Sequence, residues 1–442
     1  MPYHSHDRSP GSGYSGSLME ARDRNSDAYE LSVHGEGKHH LYAGQNAGCA
    51  YCHAHDGFTY RAQNNAQPTH TLAAGKWTYS FSAPASVSSA LPSLPGRISC
   101  FTCHKGAPAD SMARVSGYFT SGFAAGDSGF YNNDSVGITL WAMPTNYKWG
   151  KLPQDGGSAH LCLSCHQARP INYNTTSGYG NNVLDSLLLS PTDIIWDSTK
   201  TTSTGNKLSV GYRTGGHYGW PGNILLGVGY GPPEIAGSTV YENSEHTTVA
   251  SCVNCHMAPP KSGSDVSSGE AVIYGSGGHT FSARRNFNGC NADAVNCHTG
   301  MSATNATYYV PATTNQKALL DSLGELLTSK GQYLMMIDNV PYDYEIEEGN
   351  LWYYMTTKHF NGYLNIYDAT YNPGPGVFKA NTTSSPGTDG FYKWPTMTKG
   401  QFAVLMAFQA NVREYSKGVH NTKYSNALLR NAIEYILANP FP

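Results

Sequence analysis

Five times in this chain a pair of cysteines is followed at once by a histidine. Four pairs enclose two residues: Cys49 and Cys52 before His53, Cys100 and Cys103 before His104, Cys162 and Cys165 before His166, Cys252 and Cys255 before His256. The fifth pair, Cys290 and Cys297 before His298, encloses six. No cysteine of the ten is left over. At the CxxCH spacing two thiols can add across the vinyl groups of a haem while the adjacent histidine reaches back to the iron. Disulfides would not place five histidines in register, and zinc knuckles more often pair two CxxC steps without them. The pattern points to five covalent c-type haems. On the fifth, Asn291 to Asn296 must bulge outward for both thioethers to form; a single thioether, or no haem there, is the alternative.

Each of His53, His104, His166, His256 and His298 supplies one axial ligand in this reading. An electron carrier usually fills the sixth iron position too, because a six-coordinate iron has no place for substrate. Eighteen histidines less these five leave thirteen candidates. His279 lies between two attachment sites, flanked by Gly278 and by Thr280-Phe281. His246 stands six residues before Cys252, and His217 has Gly216 before it and Gly219 two residues on, a backbone free to approach a flat ring closely. His420 sits at a corner between two helical stretches. His34 completes the set of five, with His39 or His40 as substitutes.

The elements that must position these groups are sparse. Of 442 residues only 39% are apolar and 13% charged, and 48 are glycine. Such a length suggests two or three ordinary domains, yet the composition suits loops wrapped around cofactors that replace part of the apolar interior. The expected fold is therefore mainly irregular and α-helical: a loop-rich haem-wrapping region followed by C-terminal helices. Residues 1–30 read as a flexible arm, with His4 and His6 either disordered or docking on a neighbouring subunit. Residues 31–300 form the multihaem region, and 301–442 a helical region packing on the haems. Residues 61–99 read as a connection, 111–158 as loops with a short hairpin, 171–210 as a surface loop, and 335–395 as irregular. Thr313 with Gln316, and Thr398 with Gln401, are spaced as capping boxes. The first is followed by Leu319, Leu320, Leu323, Leu326 and Leu327 at helical spacing, with Gly331 as the stop. The second starts a helix with Phe402, Leu405 and Met406 on one face. Gly418-Val419-His420-Asn421 breaks it, and a last helix turns Leu429, Ile433, Ile436 and Leu437 inward and ends before Pro440.

A net charge of −3 leaves no footprint for nucleic acid or an acidic membrane. No run of about 18 apolar residues exists to span a bilayer. The 31 tyrosines and the Ser/Thr/Gly-rich loops have the look of a secreted or cell-surface protein. Covalent haem attachment takes place outside the cytoplasm, so a leader, not visible here, is expected to have been removed. The expected location is extracellular or at the cell surface, with the periplasm as the alternative.

These motifs together resemble the multihaem c-type cytochromes of bacteria that respire on metals or other extracellular acceptors. The resemblance runs in order through Ser32-Val33-His34, Cys49 to Phe58, Ile98 to His104, and Leu161 to Arg169. It continues through Gly216 to Gly219, Leu225-Leu226-Gly227, Ser244 to His246, Cys252 to Met257 and Gly278 to Phe281, and closes at Gly418 to Leu429. It covers about half the chain, and is more distantly similar to pentahaem nitrite reductases. Those reductases follow a cysteine pair with a lysine to leave one iron open. Here Lys105 follows His104 instead, and no CxxCK exists.

The resemblance implies electron transfer through bis-histidine haems, with redox proteins or extracellular acceptors as partners, and no catalysis. A sharper form has subunits joined end to end as a conducting filament, a homopolymer. The alternative is a reductase of nitrite, hydroxylamine or a related small oxyanion, with Arg169, His70, Arg284 and Arg285 as donors near one open iron. No calcium-binding loop stands out among the Asp and Asn residues.

Overall fold

The computed structural model describes residues 26, 28–30, 32–41, 43–44, 47–63, 69–73, 76–80, 95–103, 162–163, 165–168, 191–199, 219–250, 252–259, 277–283, 286–291, 298–302, 305–327, 333–336, 365–368 and 395–442. In chain order, α1 is Val33–Glu36, followed by a 3₁₀ turn at His39–Leu41, then α2 (Ala47–His53) and α3 (His55–Gln63). A hairpin of β1 (Thr69–Ala73) and β2 (Lys76–Ser80) precedes α4 (Cys100–Cys103) and β3 (Ile194–Trp196). Then come α5 (Trp220–Leu226), α6 (His246–Val249), α7 (Cys252–His256) and a 3₁₀ turn at Gly278–Thr280. The long α8 (Tyr309–Leu327) leads to β4 (Tyr333–Met336), β5 (Asn365–Asp368) and β6 (Met397–Thr398), and the chain closes with α9 (Lys399–Arg413) and α10 (Thr422–Ala438). The described part is thus mostly helical and irregular, with sheets of two strands only: β1–β2, β3–β6 and β4–β5, each antiparallel.

The chain divides into two compact units. One comprises Met1–Asn64, Ala83–Ser121 and Ala250–Ala306; the other Asn65–Ser82, Gly122–Val249 and Thr307–Pro442. In the first, α2 and α3 meet through small residues. Ala50, Ala54 and Gly57 lie at the contact, and a side chain at Gly57 would run into the Ala50 backbone. Tyr51 and Phe58 are buried beside them. Arg97 holds α1 in place by donating to Gly35 O at 2.7 Å and to Glu30 at 2.6 Å, and the Tyr29 hydroxyl donates to Ile98 O.

The second unit holds the larger core. It gathers Leu320, Leu323 and Leu327 of α8, Phe402 to Val412 of α9, Tyr424, Leu428, Leu429 and Ile436 of α10, and Trp220 and Ile224 of α5. Burying a leucine of this kind stabilises by roughly 1.5–3 kcal/mol. Helix α9 is buried along its whole length, so its interior contact extends far beyond the expected face of Phe402, Leu405 and Met406. Its Thr398–Gln401 capping box forms as expected, the Thr398 hydroxyl accepting from Gln401 N and the Gln401 side chain accepting from Thr398 N. Lys399, buried at the same end, reaches the Asp193 carboxylate at 3.0 Å.

Several sequence expectations are corrected here. Helix α8 begins at Tyr309, a turn before the expected Thr313 cap. Pro311 falls in the first turn, where its missing N–H costs nothing because that donor would have no partner. Thr313 then lies inside the helix and its hydroxyl donates back to Tyr309 O, while Gln316 is buried against α9. Leu437 is 62% exposed. It stands roughly 80° around α10 from Leu429 at 3.6 residues per turn, beyond the buried stripe that Leu429 and Ile436 share. Within 171–210, expected as a surface loop, Ile195 and Trp196 of β3 are buried. Strands also occur within 61–99 and 335–395. Of the arm expected over 1–30, the described end is corrected, with Tyr29 helical and buried; residues 1–25, Gly331 and the span 111–158 lie outside the described residues.

Candidate functional site

The described cysteine pairs sit on helical turns. In α2 Cys49 and Cys52 are three residues apart, hence neighbours on one face, with His53 ending the helix. Cys100 and Cys103 bound α4, and Cys252 and Cys255 lie on α7 with His256 as its last residue. Around the third pair His166 N donates to Cys162 O at 2.8 Å, a helical bond. Cys100 is exposed and the other described cysteines are half-buried. The third turn is also held from below. Gly222 N donates to His166 O at 3.0 Å, and a side chain at Gly222 would collide with His166 O and Leu163. Of the fifth pair only Cys290 is among the described residues. Cys290 lies in a turn, its N donating to Phe287 O at 3.0 Å, and the next residue closes the long loop. Asn291 donates to Met301 O at 2.7 Å and accepts from Met301 N at 2.9 Å, so the chain returns to its start just after His298. His104, His217 and Cys297 lie outside the described residues, as do Arg169, Arg284 and Arg285.

The remaining assigned histidines gather in three places. In the first unit, three surround Phe281. His34 meets the Phe281 ring edge-on at 5.0 Å, His279 meets it at 6.0 Å, and His256 Nδ1 donates to Phe281 O at 2.8 Å. Phe281 adopts φ 57°, in the left-handed region that an aromatic residue rarely enters. It follows Gly277 and Gly278, both also at positive φ, so the turn aims ring and carbonyl in different directions. His34 is presented by a short helix whose start is capped by Ser32, the hydroxyl accepting from Gly35 N at 3.1 Å. Burial lowers its pKa and keeps the imidazole neutral.

In the same unit His39 stacks on His53, ring centres 5.6 Å apart and planes at 27°. His34 and His39, alternatives in the sequence, thus occupy different surroundings. His40 Nδ1 donates to Gly37 O at 3.2 Å, an acceptor of the same kind within its own turn.

In the second unit two assigned histidines hang on one corner, residues 414–421. His246 Nδ1 donates to Val419 O at 2.7 Å, and His420 Nδ1 donates to the Glu414 carboxylate at 2.7 Å. Asn421 builds the corner. Its side chain caps α10 at Tyr424 N, accepts from Ser244 N at 2.8 Å and donates to Asn243 at 3.0 Å, which carries the segment bearing His246 alongside. Burial alone would raise the pKa of Glu414, but hydrogen bonds from His420, Ser416 and Gly418 outweigh it and hold the carboxyl below its ordinary value.

For His40, His246, His256 and His420 the partner at Nδ1 is an oxygen that only accepts, so in the neutral ring Nδ1 carries the proton and Nε2 the lone pair. Residues that the sequence reading missed are Glu414, Ser416 and His55. His55 Nδ1 lies 2.8 Å from the hydroxyl of Thr102, the buried residue between Cys100 and Cys103, so it props the second cysteine turn against α3. A second histidine two residues after a CxxCH motif was the available signal. Among the described residues no group of three or more His, Cys, Asp or Glu is gathered as the donor set of a bare metal ion. No helix among them is long and apolar enough to cross a membrane. No protein-family model, curated protein or solved structure matches the chain.

Proposed function

We propose that the chain is an extracellular or cell-surface electron carrier holding five c-type haems, with both axial positions of each iron filled by histidine. The observation that carries this reading is the common anchoring of His246, His256 and His420, each oriented through Nδ1 with its lone pair at Nε2. Iron-ligating histidines characteristically donate their other ring N–H to a carbonyl or carboxylate in this way. The donor set fits the group in a second respect: the described Cys pairs of the CxxCH motifs lie on short helical turns, with thiols exposed or half-buried where thioethers could form.

When bound, each haem supplies one-electron exchange between ferric and ferrous iron. The chain's own part is ligation and orientation. The cysteines would fix the macrocycles, His53, His104, His166, His256 and His298 would ligate from one side, and His34, His217, His246, His279 and His420 from the other. The His34 imidazole, kept neutral by burial, is in the protonation state that ligation needs. Partners in this reading are redox proteins or extracellular acceptors. Val33, Leu41 and Phe101, exposed at 82%, 52% and 54%, supply apolar surface that bound cofactors or a second copy in a filament would cover.

Low-temperature EPR of the oxidised protein, with carbon monoxide added after reduction, tests the reading. Five haems by mass and only low-spin signals without carbon monoxide binding are expected. A high-spin signal with one haem's worth of carbon monoxide binding would replace the carrier by the reductase alternative.

A further inference from the structure

Two assigned ligands hang on adjacent parts of one corner, yet the charge behind them differs. His246 donates to the carbonyl of Val419, a neutral group; His420, the next residue along, donates to a carboxylate. Glu414 is wholly inaccessible to solvent. Its Oε1 accepts from Gly418 N at 2.9 Å and from Gln316 Nε2 at 3.4 Å, and its Oε2 from Ser416 Oγ at 2.5 Å and His420 Nδ1 at 2.7 Å. Ser416 in turn receives His420 N at 2.8 Å, so ring and backbone of His420 are held by the same cluster. Backbone strain is concentrated here too, with Tyr415 and Lys417 both at positive φ.

A buried charge is costly, and a neutral acceptor would serve the turn as well. A carboxylate on Nδ1 has a distinct consequence: it pushes electron density onto the ring and makes Nε2 a stronger donor to ferric than to ferrous iron. A carbonyl does this far less. We propose that Glu414 is a positioning residue that would lower the midpoint of a haem ligated by His420 below the value that a neutral acceptor such as the one behind His246 would give. This inference rests on the haem reading above and adds a tuning residue to it.

The test is spectroelectrochemical titration of the full haem-loaded chain. Glu414→Gln is expected to raise one of the five midpoints by at least tenfold in its equilibrium constant, about 59 mV for one electron. It should also alter one low-spin EPR component and leave the others in place. No movement, a downward movement, or a common shift of all five overturns the inference. If Glu414→Gln does not take up haem, Ser416→Ala decides instead. With one donor fewer on the carboxylate, the same midpoint is expected to fall, and a rise or no change overturns the inference. His420→Ala separates this from the underlying reading. If it leaves all low-spin components intact, His420 is not a ligand and the site assignment itself fails. If it opens one haem to carbon monoxide while Glu414→Gln moves nothing, only the tuning role fails.

Discussion

Asn291 and Met301 exchange two hydrogen bonds, side-chain amide to backbone at 2.7 and 2.9 Å, and so close the loop that begins at Cys290 and contains His298. Asn291, next to Cys290, is thereby tied to Met301, three residues past His298, which would keep the two flanks of the fifth cysteine pair within reach of one cofactor.

Removing that clamp should unfasten the fifth site alone. Asn291→Ala strips both bonds and leaves two backbone groups of Met301 without their partner, a loss of about 1–3 kcal/mol. The expected outcome is a fall from five haems toward four, read by intact mass, with the four CxxCH sites still loaded.

Of the three N-terminal candidates, His34 packs on Phe281 and His39 on His53, whereas His40 turns Nδ1 to the carbonyl of Gly37. With His34 as the assigned ligand, His34→Ala is expected to open one iron to carbon monoxide after reduction, and His40→Ala to leave the spectrum of the parent chain. Carbon monoxide binding in the His40 variant would reverse the assignment.

The two threonine–glutamine pairs should behave differently. Thr398→Ala removes a formed cap and should cost about 1 kcal/mol, whereas Thr313→Ala, inside α8, should stay within about 0.5 kcal/mol. Denaturant midpoints of the two variants measure the difference.

Alkali should destabilise the second unit. Burial raises the pKa of Tyr241 to about 12, and its hydroxyl donates to Ile235 O at 2.9 Å. A folded-state value above the ordinary 10 means the protonated phenol is preferred in the fold, so its contribution is complete below pH 10 and is lost as pH rises toward 12. Burial also raises Tyr424, packed beside it, so both groups act in the same direction. Melting temperature should drop between pH 10 and pH 12, and Tyr241→Phe should flatten part of that slope. An unchanged slope in the variant would locate the sensitivity elsewhere.

Much of the local order was legible in the residues. The Thr398 cap, the break at Gly418 to Asn421 and the final helix ending before Pro440 all follow from neighbours within one helical turn, because capping and termination are short-range hydrogen-bonding choices. The cysteine–histidine spacing likewise defined the candidate attachment residues, since thioether and ligand geometry depends on spacing along a few residues. The start of α8 was misread because Pro311 tolerates a first turn as readily as it interrupts a later one.

Only the tertiary structure decided what stands behind each histidine. His246 meets Val419 across 173 residues of sequence, and Phe281 accepts from His256 while packing against His34 far upstream. Glu414 is one polar residue among many until the corner folds it beneath His420. Such partners are fixed by through-space proximity and by exclusion of water, neither of which has a period in the chain. The cysteine pattern thus points to the chemistry proposed, and the packing of distant segments chose which oxygen orients each imidazole.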